Sequence, residues 1–149
     1  MLVQAATVSF DSINVGDQLP TMQKSETQED IDNYLILNED PEREIEGMNL
    51  HVDSEFAEQG IFGSMVNYGV STCGFMVELL QTAFPTRNVT RGSISMRALE
   101  PIQANDVVTY TGEVIDKREE EGNRLVDVEV RGVNQMGQTV AVAKATVPL

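Results

Sequence analysis

Val66-Asn67-Tyr68-Gly69-Val70-Ser71-Thr72-Cys73-Gly74-Phe75-Met76-Val77-Glu78-Leu79-Leu80-Gln81-Thr82-Ala83-Phe84-Pro85 is the longest largely apolar run of the chain, and the change of pattern after it decides the fold. Asn67, Ser71, Thr72, Glu78 and Gln81 make it too polar to span a bilayer, while its apolar residues point almost all round a helix, a pattern of helices wrapped by other structure. Pro85 stops it. Beyond Pro85 the pattern becomes that of strands: Ser93 to Leu99, Asp106 to Asp116, Arg124 to Asn134 and Gln138 to Pro148. Leu125-Val126-Asp127-Val128-Glu129-Val130 alternates with the period of a half-buried antiparallel strand. Glu120-Glu121-Gly122-Asn123 and the stretch from Gly132 to Gly137 supply the turns on either side. The expected fold class is α+β: a long central helix wrapped by an antiparallel β-sheet. A chain of 149 residues fits one domain, residues 1–149, that buries a core without disulfide staples.

Upstream, Phe10 to Pro20 reads as an entry segment with a turn at Val15-Gly16-Asp17. A helix starts with a capping pattern, either Ser25 to Gln28 or Thr27 to Asp30, and docks by Ile31, Tyr34, Leu35 and Leu37. Asn38 to Asn49 is polar and turn-rich, with Pro41 and Gly47, and leads to Asn49-Leu50-His51-Val52-Asp53-Ser54-Glu55-Phe56-Ala57. A short helix begins in Asp53 to Ala57, and Gly60 ends it.

His51 is the only histidine, so a multi-histidine metal site is excluded. It is also the side chain whose unperturbed pKa lies nearest neutrality, the natural choice for acid–base chemistry. The formal net charge of −14, from 24 acidic and 10 basic residues, argues against nonspecific nucleic-acid binding and against anionic membranes. Half of the acids lie between Glu26 and Glu58 beside a single base, Arg43, an arrangement that suits a solvated face. Arg87, Arg91 and Arg97 form the contrasting cluster, either a dock for an anionic ligand or scattered surface arginines. The N-terminus lacks the pattern of a signal peptide, and a cytoplasmic protein is expected. Cys73, alone among Gly, Met and Phe, reads as a small core residue.

Taken in order, these pieces resemble the MaoC-like dehydratases, a family that includes the (R)-specific enoyl-CoA hydratases and has the hot-dog fold. The resemblance covers nearly the whole chain. It is carried by Phe10, Val15-Gly16-Asp17 and Leu19-Pro20, by Thr27-Gln28-Glu29-Asp30-Ile31, and by His51 to Ala57. Gly69 at the start of the central helix, Val114-Ile115-Asp116-Lys117-Arg118 and Val133-Asn134-Gln135-Met136-Gly137 complete it.

The resemblance implies a hydro-lyase that reversibly hydrates a trans-2-enoyl thioester, with coenzyme A as part of the substrate and no cofactor or metal. It also implies a homodimer or higher hot-dog oligomer whose site forms between subunits. In that family an acid and a histidine, spaced as Asp-x-Asn-Pro-x-His, act on one water, and a backbone N–H at the start of the central helix receives the charge on the thioester oxygen. Carried over, the histidine is His51 and the helix donor is Gly69. The acid is Asp40, in Asn38-Glu39-Asp40-Pro41, or Glu46, five residues before His51; the motif's Asn-Pro is missing here, and Asn49 takes the asparagine role after a one-residue slip. Tyr68, after Asn67, replaces the family's histidine before the helix glycine; this pair either lines the pocket or caps the helix. Arg87 and Arg91 are the candidates for the coenzyme's phosphates. Two other readings stand beside this one: an acyl-CoA thioesterase using Glu46, Glu55 or Glu78, and a noncatalytic subunit of a heteromeric hydratase.

Overall fold

The computed structural model describes residues 1–38 and 49–149, apart from the side chains of 35–38. In chain order the elements are β1 (Met22–Ser25), α1 (Gln28–Asn38), α2 (Ser54–Gln59), α3 (Gly69–Ala83), α4 (Thr86–Val89), β2 (Ser93–Ala98), β3 (Val107–Glu120), β4 (Asn123–Val133) and β5 (Thr139–Pro148). The five strands form one sheet in the order β1-β3-β4-β5-β2, antiparallel throughout. Consecutive β3, β4 and β5 are neighbours because short turns join them, at Glu121-Gly122 and across Asn134 to Gln138. Glu121 and Gly122 both take positive φ in the tighter turn, which a glycine at the second position accommodates without strain.

Alternate residues of the long strands point inward. Val126, Val128 and Val130 of β4 meet Val140, Ala141, Ala143, Ala145 and Val147 of β5 in the core, beneath Met76, Leu79, Leu80 and Ala83 of α3. This is the expected hot-dog arrangement in one domain. β1 is a strand that hydropathy did not indicate, since Met-Gln-Lys-Ser is too short and polar for its period to stand out. It pairs with β3, Met22 opposite Tyr110.

The sheet wraps one side of α3 as expected, and the i, i+4 row of Val70, Gly74, Glu78 and Thr82 on the other side is exposed. One expectation needs correction. Cys73 lies between these two sides and is half-buried rather than a core residue. Between the two capping possibilities of α1, the structure selects Thr27 with Asp30. The Asp30 amide donates to Thr27 Oγ1 at 3.2 Å and the Thr27 amide to Asp30 Oδ2 at 2.8 Å. Those bonds hold the Asp30 carboxyl below its usual range. Asp53 caps α2 by accepting the Phe56 amide at 3.0 Å, and Gly60 ends that helix.

Candidate active site

The segment entering α2 sets His51. Asn49 folds a tight turn under it: its Oδ1 accepts the His51 amide at 2.9 Å, and its carbonyl accepts the Val52 and Asp53 amides at 3.2 and 2.9 Å. Gln28 in the first turn of α1 donates to the His51 carbonyl at 2.9 Å. The imidazole Nδ1 lies 2.8 Å from the Val66 carbonyl oxygen. A carbonyl only accepts, so Nδ1 carries the hydrogen and the neutral ring keeps its lone pair on Nε2. The Tyr68 ring stacks on the imidazole with centroids 3.8 Å apart, and Tyr34 packs on Tyr68 at 5.0 Å.

His51 and Gly69 line one cavity of about 320 Å³. Its walls are mainly apolar, formed by Leu50, Val66, Ile102, Val140 and Ala141 with the more exposed Phe62 and Leu99 at the rim. The segment before α3 is seated by backbone bonds, Val66 N to Leu50 O at 3.4 Å and Asn67 N to Ile102 O at 2.7 Å. Gly69 then opens the helix, and a Cβ built on it would meet no atom within 4 Å. The backbone there borders open space, and the first amides of a helix are donors with a favourable dipole behind them.

A polar cluster adjoins the cavity, with Asn67 and Thr72 on its wall. Asn67, 8% exposed, donates from Nδ2 to Glu26 Oε2 at 2.9 Å and to Thr72 Oγ1 at 2.9 Å. The Ser71 hydroxyl joins them, 3.2 Å from the same Glu26 oxygen and 2.9 Å from the Tyr68 carbonyl. Thr72 also bonds the phenol of Tyr110, and burial together with the nearby Glu26 charge pushes that phenol well above its ordinary pKa. Glu26 directly follows β1, so strand pairing with β3 delivers this carboxylate to the start of α3.

Of the expected site residues, the structure brings His51, Asn67 and Gly69 to one cavity. Asn49 is beneath His51 and shapes its backbone. Tyr68 occupies the cap position of α3 with no side-chain cap bond, its ring on the imidazole. Asp40 and Glu46 lie outside the described residues. Arg87, in α4, and Arg91, just after it, are exposed beyond the far end of α3, and the helix itself is about 21 Å long at 1.5 Å per residue. Within one chain they do not reach the cavity. Glu55 is exposed on α2, and Glu78 is paired with Lys24 Nζ at 2.7 Å; neither lines the cavity. Two acids escaped the sequence reading: Glu26, and Glu100 on the cavity wall. Only an acid next to a helix cap and an acid next to Pro101 marked them, and neither signal is specific. Among the described residues there is no cluster of three or more metal-ligating groups, and no helix is long and apolar enough to cross a membrane.

A family model described as "MaoC like domain" matches residues 15–136. The fold is similar to that of the MaoC-like dehydratase from Rhodospirillum rubrum, at 19% identity and a TM-score of 0.77, covering 96% of this chain and 97% of that one. It is likewise similar to the (R)-hydratase from A. caviae involved in PHA biosynthesis, at 23% identity and a TM-score of 0.73, covering 93% and 98%. A third similar structure is the ChsH1–ChsH2 complex from Mycobacterium tuberculosis, at 21% identity and a TM-score of 0.71, covering 91% and 98%. No curated protein matches the chain. With the family model spanning most of its length and the hot-dog architecture in place, the chain belongs to the MaoC-like dehydratase family, hydratase/dehydratase-type lyases.

Proposed function

We propose that the chain reversibly adds water across the double bond of a trans-2-enoyl thioester of coenzyme A, giving the 3-hydroxyacyl thioester. The observation that carries this reading is the pairing, in one mainly apolar cavity, of His51, whose Nδ1 is bonded to a carbonyl so that the lone pair lies on Nε2, with Gly69 at the opening of α3. In the forward direction His51 removes a proton from water as its oxygen bonds to C3, and a carboxylic acid delivers a proton to C2. The negative charge that gathers on the thioester oxygen meets the Gly69 N–H. The acid comes from the segment before Asn49, as Asp40 or Glu46.

A homodimer paired along the open edge of β2 suits this chemistry. Antiparallel self-pairing inverts the strand, so the Ser93 end of one copy, next to Arg91, lies beside the Ala98–Leu99 rim of the other cavity. The arginines then approach the coenzyme's phosphates from the partner copy. Of the carboxylates considered for thioester cleavage, Glu55 and Glu78 stand away from the cavity, and Glu46 lies outside the described residues. Likeness to a two-protein complex keeps one further reading in view, a subunit that acts with a second MaoC-like chain.

The test monitors the absorbance of crotonyl-CoA and longer trans-2-enoyl-CoAs alongside free thiol. Loss of absorbance without thiol release, reduced about a hundredfold or more in His51→Ala, is the expected result. Thiol release would identify a thioesterase, and no reaction at any chain length would refute hydration by the chain alone.

A further inference from the structure

Asn67 is a buried amide whose orientation has been chosen for it. Both hydrogens of Nδ2 are engaged, one on a Glu26 carboxylate oxygen and one on the Thr72 hydroxyl. Turning the amide over would set Oδ1 against the Glu26 carboxylate, oxygen against oxygen, with no hydrogen between them. Glu26 therefore dictates which way Asn67 faces. Ser71, bonded to the same carboxylate oxygen, and Tyr110, packed beyond Thr72, hold the arrangement from both sides. The result is an acceptor, Oδ1, to which no group donates among the described residues, on a side chain that lines the cavity and is 8% exposed. An acceptor that keeps some accessible surface on a cavity-lining residue, with no described donor, favours an occupant that brings a donor.

Resting on the hydratase reading above, we infer that Asn67 Oδ1 accepts the O–H of the attacking water and of the 3-hydroxyl group it becomes, and that Glu26 is the positioning residue that keeps this acceptor turned toward the substrate. The enoyl and saturated acyl chains carry no donor at C3. The interaction thus discriminates between the hydroxyacyl thioester and its unhydroxylated counterparts, and it exists only while Glu26 holds the amide.

The test is equilibrium binding of 3-hydroxybutyryl-CoA, as each enantiomer, and of butyryl-CoA in a His51→Ala background, where neither ligand turns over. The expected result is a preference of about tenfold for one hydroxyacyl enantiomer over butyryl-CoA, the scale of one hydrogen bond. Adding Asn67→Ala or Glu26→Leu brings the two ligands within about twofold of each other, a loss of the hydroxyacyl preference that general loosening of the site, which weakens both ligands alike, does not produce. Glu26→Gln, whose amide presents either a donor or an acceptor to Asn67, keeps an intermediate preference of about threefold. Should Glu26→Leu fail to fold, Asn67→Ala tests the acceptor and Glu26→Gln the positioning. Equal binding of the ligands in the parent, or a preference that survives Asn67→Ala, overturns this inference alone. Binding of no thioester at all overturns the coenzyme A reading as well.

Discussion

At the scale of single residues, the site depends on where hydrogens are. His51 is given its tautomer by one carbonyl, and Asn67 is given its face by one carboxylate. Gly69 contributes by having no side chain. A methyl group there meets no protein atom within 4 Å, so Gly69→Ala should fold normally, and its melting temperature should be unchanged or slightly raised because alanine loses less backbone entropy than glycine. The same methyl occupies the space a thioester must enter. A displacement of about 1 Å at the reacting centre is worth about a hundredfold in rate, so kcat/KM for crotonyl-CoA should fall by about that factor. A thermal melt and a rate assay on one preparation check both halves. A variant that is destabilised, or one that is fully active, would remove Gly69 from the role given to it.

At the scale of elements, the caps are where sequence and structure agree most closely. Thr27 and Asp30 close the start of α1 reciprocally, and that helix in turn sends Gln28 to the His51 carbonyl. Thr27→Ala should lower stability by about 1 kcal/mol, the usual worth of an N-cap, in urea denaturation. The pH dependence has a definite sign. The folded Asp30 carboxyl is held below its ordinary value of 3.8 by its bonds to Thr27. Its contribution is therefore present above the unfolded pKa and is lost as pH falls through the lower, folded one. The gap between wild type and Thr27→Ala should narrow below about pH 4, and a gap constant down to pH 2 would show that the box is not electrostatic. The helix boundaries were readable because Thr27, Asp53, Gly60 and Pro85 act within one turn of chain. The exposed row on α3 was not, since a helix that is apolar all round does not reveal which side the sheet will take.

For the whole molecule, the position of β2 at the end of the sheet matters most. Its outer edge pairs with no other strand among the described residues, and such an edge invites another strand. Arg87, Arg91 and Arg97, which make no ion pair among the described residues, lie on and just before it, although the chain carries a net charge of −14. Light scattering should report a mass twice the 16.4 kDa of the chain. If the partner copy supplies the phosphate contacts, Arg91→Glu should raise KM for crotonyl-CoA about tenfold with little change in kcat, and added salt should shrink the difference. A monomeric mass, or an unchanged KM, would refute this assembly of the site.

The sequence by itself determined the long helix and the four strands that follow it, the family and the placement of His51 before α2 and Gly69 at the start of α3. Those features are written in periodicity and short spacing, which act through neighbouring turns of chain. Asp40 and Glu46, the two candidates for the acid, lie outside the described residues. Only the tertiary structure decided that Met22 to Ser25 is a strand, that Glu26 meets Asn67 from 41 residues away, that Glu100 faces the cavity, and that Arg87 and Arg91 stand at the opposite end of α3 from His51. Strand order and core packing bring such groups together or hold them apart, and neither is encoded in the distance between residues along the chain.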